Sequence, residues 1–141
     1  AELESREEVL YEIYAKTINI EALTMVDMAS KEIIPAVIKY SKSLADSVLA
    51  VKEAGADAEV QTELLKEVSA KLTEMKTALA KLEEVEAKAA AMENAKDQAF
   101  YYKDVVKAAM DELRKPADEL EMIVDKKVWP FPTYADLMFE V

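Results

Sequence analysis

The fold is decided by residues 11–51, which read YEIYAKTINIEALTMVDMASKEIIPAVIKYSKSLADSVLAV. Apolar side chains recur along this stretch in steps of 3, 4 and 4 residues. The average step of about 3.67 residues is typical of a nearly straight or slightly right-handed helix bundle. The stripe consists of Tyr11, Tyr14, Ile18, Ala22, Met25, Ala29, Ile33, Ala36, Tyr40, Leu44, Ser47 and Val51, of which only Ser47 is polar. Flanking residues, among them Ile20 and Val37, widen the stripe, so we expect this helix to pack against two partners.

Two breaks divide the sequence into three predicted helices. Gly55, the only glycine, reads as the residue that ends a helix, and Asp57 reads as the cap of the next one. Asn94 is a weaker cap, with Asp97 three residues later. The sequence therefore predicts helices over about residues 3–54, 58–92 and 95–126. The alternative is one unbroken helix over residues 58–126, because Asn94 alone is a poor stop signal.

The second and third helices carry apolar seams of their own. The second seam follows heptad spacing and consists of Leu65, Val68, Leu72, Met75, Leu79 and Leu82. The third consists of Ala95, Ala99, Tyr102, Val106, Ala109, Leu113, Ala117, Leu120 and Val124. We expect Pro35 to kink the first helix, and Pro116 either kinks the third helix or opens a new segment.

The end of the chain differs in kind from the rest. Residues 128–134 read VWPFPTY, and a residue before a proline favours extended geometry, so this stretch is not helical. Thr133 reads as the cap of one short terminal helix over residues 135–139. We therefore predict an all-α fold, in which residues 1–126 form three long helices in an up-down-up bundle. Residues 127–141 form an extended aromatic and proline-rich strap that contains the short terminal helix.

The composition excludes several classes of function. The 141 residues include 29 acidic and 18 basic side chains, for a formal net charge of −11, and no His or Cys. An acidic chain of this kind is unsuited to binding nucleic acid or an anionic membrane surface. Without Cys it has no thiol nucleophile, and without His it cannot form the His-containing di-iron motif of helix bundles. Acidic pairs such as Glu83, Glu84 and Glu86 are expected on solvated faces. We therefore expect no catalytic, cofactor-binding or metal-binding residue here.

Two regions are predicted to expose apolar side chains to a partner. The first helix would be ~75 Å long against ~50 Å for the other two, so residues 3–16 would overhang the bundle. The strap holds four of the ten aromatic residues, and such a segment is costly to leave in water. It covers either its own bundle or a neighbour. The candidate interface residues are Leu10, Ile13 and Tyr14 in the overhang, and Trp129, Phe131, Tyr134 and Phe139 in the strap.

Two stretches of this sequence resemble a known family. One is TINIEALTMVDMA at residues 17–29, leading into IIPAV at residues 33–37. The other is RKPADELE at residues 114–121, followed by WPFPTY at residues 129–134 and LMFEV at residues 137–141. Together they resemble the C-terminal helical region of type III glutamine synthetases, the large bacterial form of the enzyme, over the whole chain.

The resemblance implies a role within a larger enzyme. The parent would join ammonia to glutamate with ATP and Mg (or Mn), whose ligands lie in upstream domains, so no catalytic residue carries over. Because the chain begins without Met, we expect a fragment of a longer cytoplasmic protein whose partners are its own upstream catalytic domain and further copies of itself. The implied function is a non-catalytic structural and assembly domain, and a free-standing helical adaptor that binds a partner protein is the alternative.

Overall fold

The structure is a computed structural model that describes the backbone of residues 2–132 and the side chains of residues 5–132. Within this range the chain is helical and contains no strand, so the prediction of an all-α fold is confirmed. The helices are α1 (Glu2–Met28), α2 (Ile34–Glu53), α3 (Glu59–Ala90), α4 (Ala95–Tyr101) and α5 (Lys107–Ile123). None of these helices is long and apolar enough to cross a membrane.

Two π-helical turns join α-helices into longer stretches. Ala29–Ile33 links α1 to α2, and Tyr102–Val106 links α4 to α5. Pro35 lies in the first turn of α2, directly after one of these wide turns. A π-helical turn relieves the crowding that a proline ring imposes on the preceding turn of a helix. Pro116 lies inside α5, which continues to Ile123.

Both breaks between the helical stretches have local capping contacts. After α2, Gly55 adopts a φ of 84°, its N–H donates to the Lys52 carbonyl at 3.0 Å, and the Ala56 N–H donates to the Val51 carbonyl at 3.1 Å. This pair of bonds is a Schellman motif, which requires a left-handed residue and therefore favours glycine. Before α4, the Asn94 side chain accepts a bond from the Asp97 N–H at 3.0 Å. The chain therefore breaks at Asn94 and does not form one helix over residues 58–126.

The contacts within the chain define two compact units. The first unit contains the residues up to Ala29 together with Thr77–Arg114. In it, α1 packs against α4 and against the π-helical turn that follows α4. Its buried side chains come from all three helical stretches: Ala15, Ile18, Ala22 and Ala29; Leu79, Leu82, Val85, Glu86 and Ala89; Ala99, Tyr102, Val106, Ala109, Met110 and Leu113.

The second unit contains Ser30–Lys76 and the residues from Lys115 onwards. Its buried side chains include Ile33, Val37, Leu44, Ala58, Val68, Met75, Pro116, Leu120, Val124 and Trp129. Lys71 on α3 forms an ion pair with Glu119 on α5. The hydrogen bond to Glu119 raises the pKa of Lys71, and the same bond lowers the pKa of Glu119.

The start of the strap packs within the second unit. Asp125 organises the turn after α5, because its carbonyl accepts bonds from the Val128 and Trp129 N–H groups at 2.9 and 3.0 Å. The Asp125 carboxylate also accepts a bond from the Lys127 N–H at 2.9 Å. This turn directs Trp129 inwards, and its side chain is only 9% exposed. The short helix predicted over residues 135–139 lies outside the described residues.

Replacing Trp129 with alanine should therefore destabilise the fold. Removal of a buried indole leaves a cavity, and we expect the free energy of unfolding to fall by ~3–5 kcal/mol. Met122→Ala is the matched control, because Met122 is 87% exposed and should change stability by less than about 0.5 kcal/mol. Urea unfolding followed by circular dichroism measures both. An unchanged midpoint for Trp129→Ala would contradict the packing of the strap against its own chain.

Candidate interface

Three predicted interface residues lie near the N-terminal end of α1. Leu10 is 64% exposed and Ile13 is 55% exposed. Tyr14 is half-buried, because it lies on the side of α1 that faces α4. The remainder of α1 towards the first π-helical turn has its inner face buried, beginning at Ala15.

Two of the four strap residues lie within the part of the chain that the structure describes. Trp129 is buried and Phe131 is half-buried. Tyr134 and Phe139 lie outside the described residues. The described strap residues belong to the second unit, whereas Leu10, Ile13 and Tyr14 belong to the first.

An apolar groove separates the first part of α1 from α4. It encloses a volume of ≈ 270 Å³. Its lining residues are Leu10, Tyr11, Tyr14, Ala99, Phe100 and Lys103. The rings of Tyr11 and Phe100 lie 6.1 Å apart and are tilted by 48°, and the Lys103 ammonium lies 5.9 Å from the centre of the Phe100 ring. Aromatic rings and the Lys103 ammonium thus line the same groove.

A second apolar hollow adjoins this groove along α1. Its volume is ≈ 340 Å³, and it is lined by Ser5, Arg6, Val9 and Leu10. Leu10 lines both spaces, so the two form a continuous apolar surface over the first three turns of α1. A surface of this kind on a small domain is typical of a contact with another protein surface.

A buried polar cluster lies deeper in the same unit. The Tyr102 hydroxyl lies 3.2 Å from the Glu86 carboxylate and 3.2 Å from the Asn19 side-chain oxygen. Glu86 is only 5% exposed, and its second carboxylate oxygen, Oε2, is buried without a hydrogen-bond partner. The expectation that Glu86 lies on a solvated face is therefore wrong. Leu79, Leu82 and Glu86 follow one another in steps of 3 and 4 residues, which places Glu86 on the core face of α3.

Burial changes the proton affinity of both ionisable groups in this cluster. Loss of solvation raises the pKa of Glu86 above its ordinary value, although the hydrogen bond from Tyr102 partly offsets this rise. Burial also raises the pKa of Tyr102 to about 12, and the neighbouring Glu86 adds to this effect. The cluster thus favours a neutral phenol and a tightly held carboxyl proton.

Comparison with known proteins places this sequence in a family. A family model described as the glutamine synthetase C-terminal domain matches residues 1–52. A glutamine synthetase of Butyrivibrio fibrisolvens is 38% identical over 142 residues, covering 99% of this chain and 20% of that protein. The chain belongs to the glutamine synthetase C-terminal domain family.

Two further relatives extend the comparison. A glutamine synthetase of Bacteroides fragilis is 31% identical, and a type-3 glutamine synthetase of Dictyostelium discoideum is 33% identical. Each alignment covers 98% of this chain and 20% of the relative. The chain therefore spans about a fifth of the length of the curated relatives that it matches. The family model itself spans α1 and nearly all of α2, whereas the alignments with the three relatives cover almost the whole chain.

Several residues of this glutamine synthetase C-terminal domain were not singled out from the sequence. Val9 and Phe100 belong to the apolar surface, and Phe100 is 44% exposed although it is aromatic. No sequence pattern marks Phe100 as exposed, because its exposure depends on how α4 packs on α1. Among the described residues, no three Asp or Glu side chains lie together as a metal-ion site would require.

Replacing Glu86 with glutamine should change how stability depends on pH in this glutamine synthetase C-terminal domain. The folded protein holds the Glu86 proton more tightly than the unfolded chain does, because burial raises its pKa. Its contribution to stability is therefore largest at acidic pH and is lost as the pH rises through the folded-state pKa. In Glu86→Gln this contribution disappears, so the variant should gain stability relative to wild type as the pH rises.

Thermal unfolding between about pH 4 and pH 8 tests this expectation. Glu84→Gln is the matched control, because the Glu84 side chain is 66% exposed and makes only an exposed pair with Lys88. The difference in melting temperature between Glu86→Gln and wild type should change with pH, and that for Glu84→Gln should stay nearly constant. Equal pH profiles for both variants would contradict a tightly held proton on Glu86.

Proposed function

We propose that this chain is a non-catalytic structural and assembly domain of a glutamine synthetase. The parent enzyme would ligate ammonia to glutamate with ATP, and its upstream part would bind the nucleotide and the Mg²⁺ or Mn²⁺ ions. The observation that supports this role is the continuous apolar surface along the first turns of α1, which the described part of the chain leaves open.

The energetics of this surface favour a contact partner. Leu10 and Ile13 each expose more than half of their surface. At ~25 cal/mol per Å² of apolar surface, covering side chains of this size contributes about 1 kcal/mol or more each. Aromatic rings beside them, at Tyr11 and Phe100, add large area at a low cost in conformational entropy. The groove is therefore suited to a partner that inserts apolar side chains.

The partners in this proposal are the upstream catalytic domain of the same polypeptide and neighbouring subunits of a homo-oligomer. The proposed location is the cytoplasm. In this proposal residues 1–126 form the bundle, and residues 127–141 form a strap that docks on the bundle or on a neighbouring subunit. Burial of Trp129 supports docking of the first part of the strap within its own chain.

A free-standing helical adaptor is the second candidate function. It would use the same groove to bind a different protein, and the Lys103 ammonium in the groove lining would favour an acidic partner. An adaptor would bind this partner without taking part in enzyme assembly. The two functions therefore differ in whether the groove affects the oligomeric state of a glutamine synthetase.

The assembly role is tested in the full-length protein that contains this domain, with Leu10→Asp and Phe100→Asp combined. Charges in the groove should weaken the contact that covers it, so the assembly should become smaller or dissociate at a higher protein concentration. Light scattering coupled to size exclusion measures the mass, and steady-state kinetics measures activity. The control combines Val60→Asp and Met122→Asp, two apolar residues that are 68% and 87% exposed on other helices.

Three outcomes separate the candidate functions. A smaller assembly with an unchanged KM for glutamate in the remaining oligomer supports the structural role. A changed KM at unchanged mass would contradict it, because the groove would then contribute to substrate binding. Unchanged mass and kinetics would also contradict it and would favour the adaptor.

A further inference from the structure

The outer face of α1 carries a second apolar stripe, opposite the buried one. Val9 is 50% exposed, Ile13 55%, Ile20 64% and Leu23 51%. The expectation that Ile20 widens the buried stripe is therefore wrong. Leu10, at 64% exposed, joins this outer stripe to the groove. All these residues belong to the first unit, and its own helices leave them uncovered.

The spacing of this outer face differs from that of the inner face. Leu10, Ile13, Thr17, Ile20 and Thr24 follow steps of 3, 4, 3 and 4 residues, which is the heptad spacing of a two-helix seam. The buried stripe on the same helix follows steps of 3, 4 and 4. Over Leu10 to Thr24 the outer seam is ~21 Å long. The outer face is thus patterned for one more helix, at the period that a left-handed helix pair requires.

The two threonines in the seam are compatible with a dry contact. The Thr17 hydroxyl donates to the Ile13 carbonyl at 2.9 Å, and the Thr24 hydroxyl donates to the Ile20 carbonyl at 2.8 Å. Because each hydroxyl proton is already bonded within α1, the cost of removing water from it is small. The same bonds fix the rotamers, so the methyl groups can extend the apolar seam.

We propose that the outer face of α1 pairs with α1 of a second copy of this chain, parallel and in register. This proposal rests on the assembly function above and names its partner. With Leu10 and Thr17 at the first core position of each heptad, Lys16 and Glu21 fall on opposite flanks of the seam. In a parallel pair, such flanking residues lie opposite each other when they are five residues apart, so Lys16 of each copy meets Glu21 of the other.

Charge determines the orientation. In an antiparallel pair the same flanks of both helices face each other, which would bring the two Lys16 ammonium groups together near the centre of the seam. Lys16 and Glu21 are both exposed, and within the described residues neither forms an ion pair in its own chain. The parallel arrangement therefore provides two complementary pairs, whereas the antiparallel one opposes like charges.

The seam is too short to hold two free copies together strongly. It comprises about two heptads, two of its core residues are threonine, and each copy carries a net charge of −11. Within a larger assembly, other contacts raise the effective concentration of the two helices, and a weak seam then becomes occupied. The pairing should therefore be tested in the full-length protein.

Disulfide trapping tests the proposal, because these 141 residues contain no cysteine. In the full-length protein, Ile13→Cys and Ile20→Cys are each oxidised under mild conditions and digested, and disulfide-linked peptides are identified by mass spectrometry. A peptide linked to its own copy identifies a contact between two chains. The expected result is such a symmetric link for each variant, in several-fold excess over the control Val60→Cys, whose position is 68% exposed on α3.

A charge exchange gives an independent readout. Introducing Lys16→Glu into the Ile13→Cys variant should lower the yield of the disulfide link several-fold. Adding Glu21→Lys should restore that yield. If Lys16→Glu acted only by disturbing the structure, Glu21→Lys would not restore it. The double variant Ile13→Cys with Ile20→Cys should link position 13 of one chain to position 13 of the other, and position 20 to position 20.

Other results would overturn the pairing. A link between position 13 and position 20 of different chains would contradict the parallel register. Links only to other regions of the protein, or no link above the control, would contradict the second copy as the partner. These results leave the assembly function intact if the groove variant of the preceding subsection still dissociates the oligomer, so the two proposals fail separately.

Discussion

Burial of the inner face of α1 against α4 and the following π-helical turn holds the first unit together. Small residues make this close contact possible, because Ala15, Ala22 and Ala29 present little side chain to the facing helices. Tyr102 is buried in the same unit, and its hydroxyl meets Asn19 from α1 and Glu86 from α3. One phenol thus connects all three helical stretches, and its loss would leave a buried carboxylate with no partner.

The inner contact also determines which residues of α1 stay exposed. A helix that packs through one stripe presents the opposite stripe to its surroundings, and on α1 that opposite stripe is apolar. Its exposed members, from Val9 to Leu23, are branched aliphatic side chains that the helices of the first unit leave uncovered. An uncovered apolar stripe of this kind is unusual for a chain that functions alone, and it agrees with membership of a family whose relatives are about five times longer.

The periodicity of the sequence was sufficient to predict the helices and most of the core. Gly55 and Asn94 mark the breaks because each supplies a specific capping bond that other residues do not provide. The burial of Glu86 was not predictable from charge, because its partner Tyr102 lies sixteen residues away across a turn. The sequence pattern does not distinguish the inner stripe of α1 from the outer one, since Ile20 lies within one helical turn of residues of both. The two faces differ because α4 packs on only one of them.

If the outer face of α1 is a contact surface, it is covered in the full-length protein. Hydroxyl-radical footprinting measures this directly, because the oxidation rate of a side chain depends on its exposure. We expect Leu10, Ile13, Ile20 and Leu23 to react several-fold more slowly in the full-length assembly than in the isolated domain, and Met122 to react equally in both. Equal rates in both proteins for all four residues would contradict it, since the outer face would then remain in water.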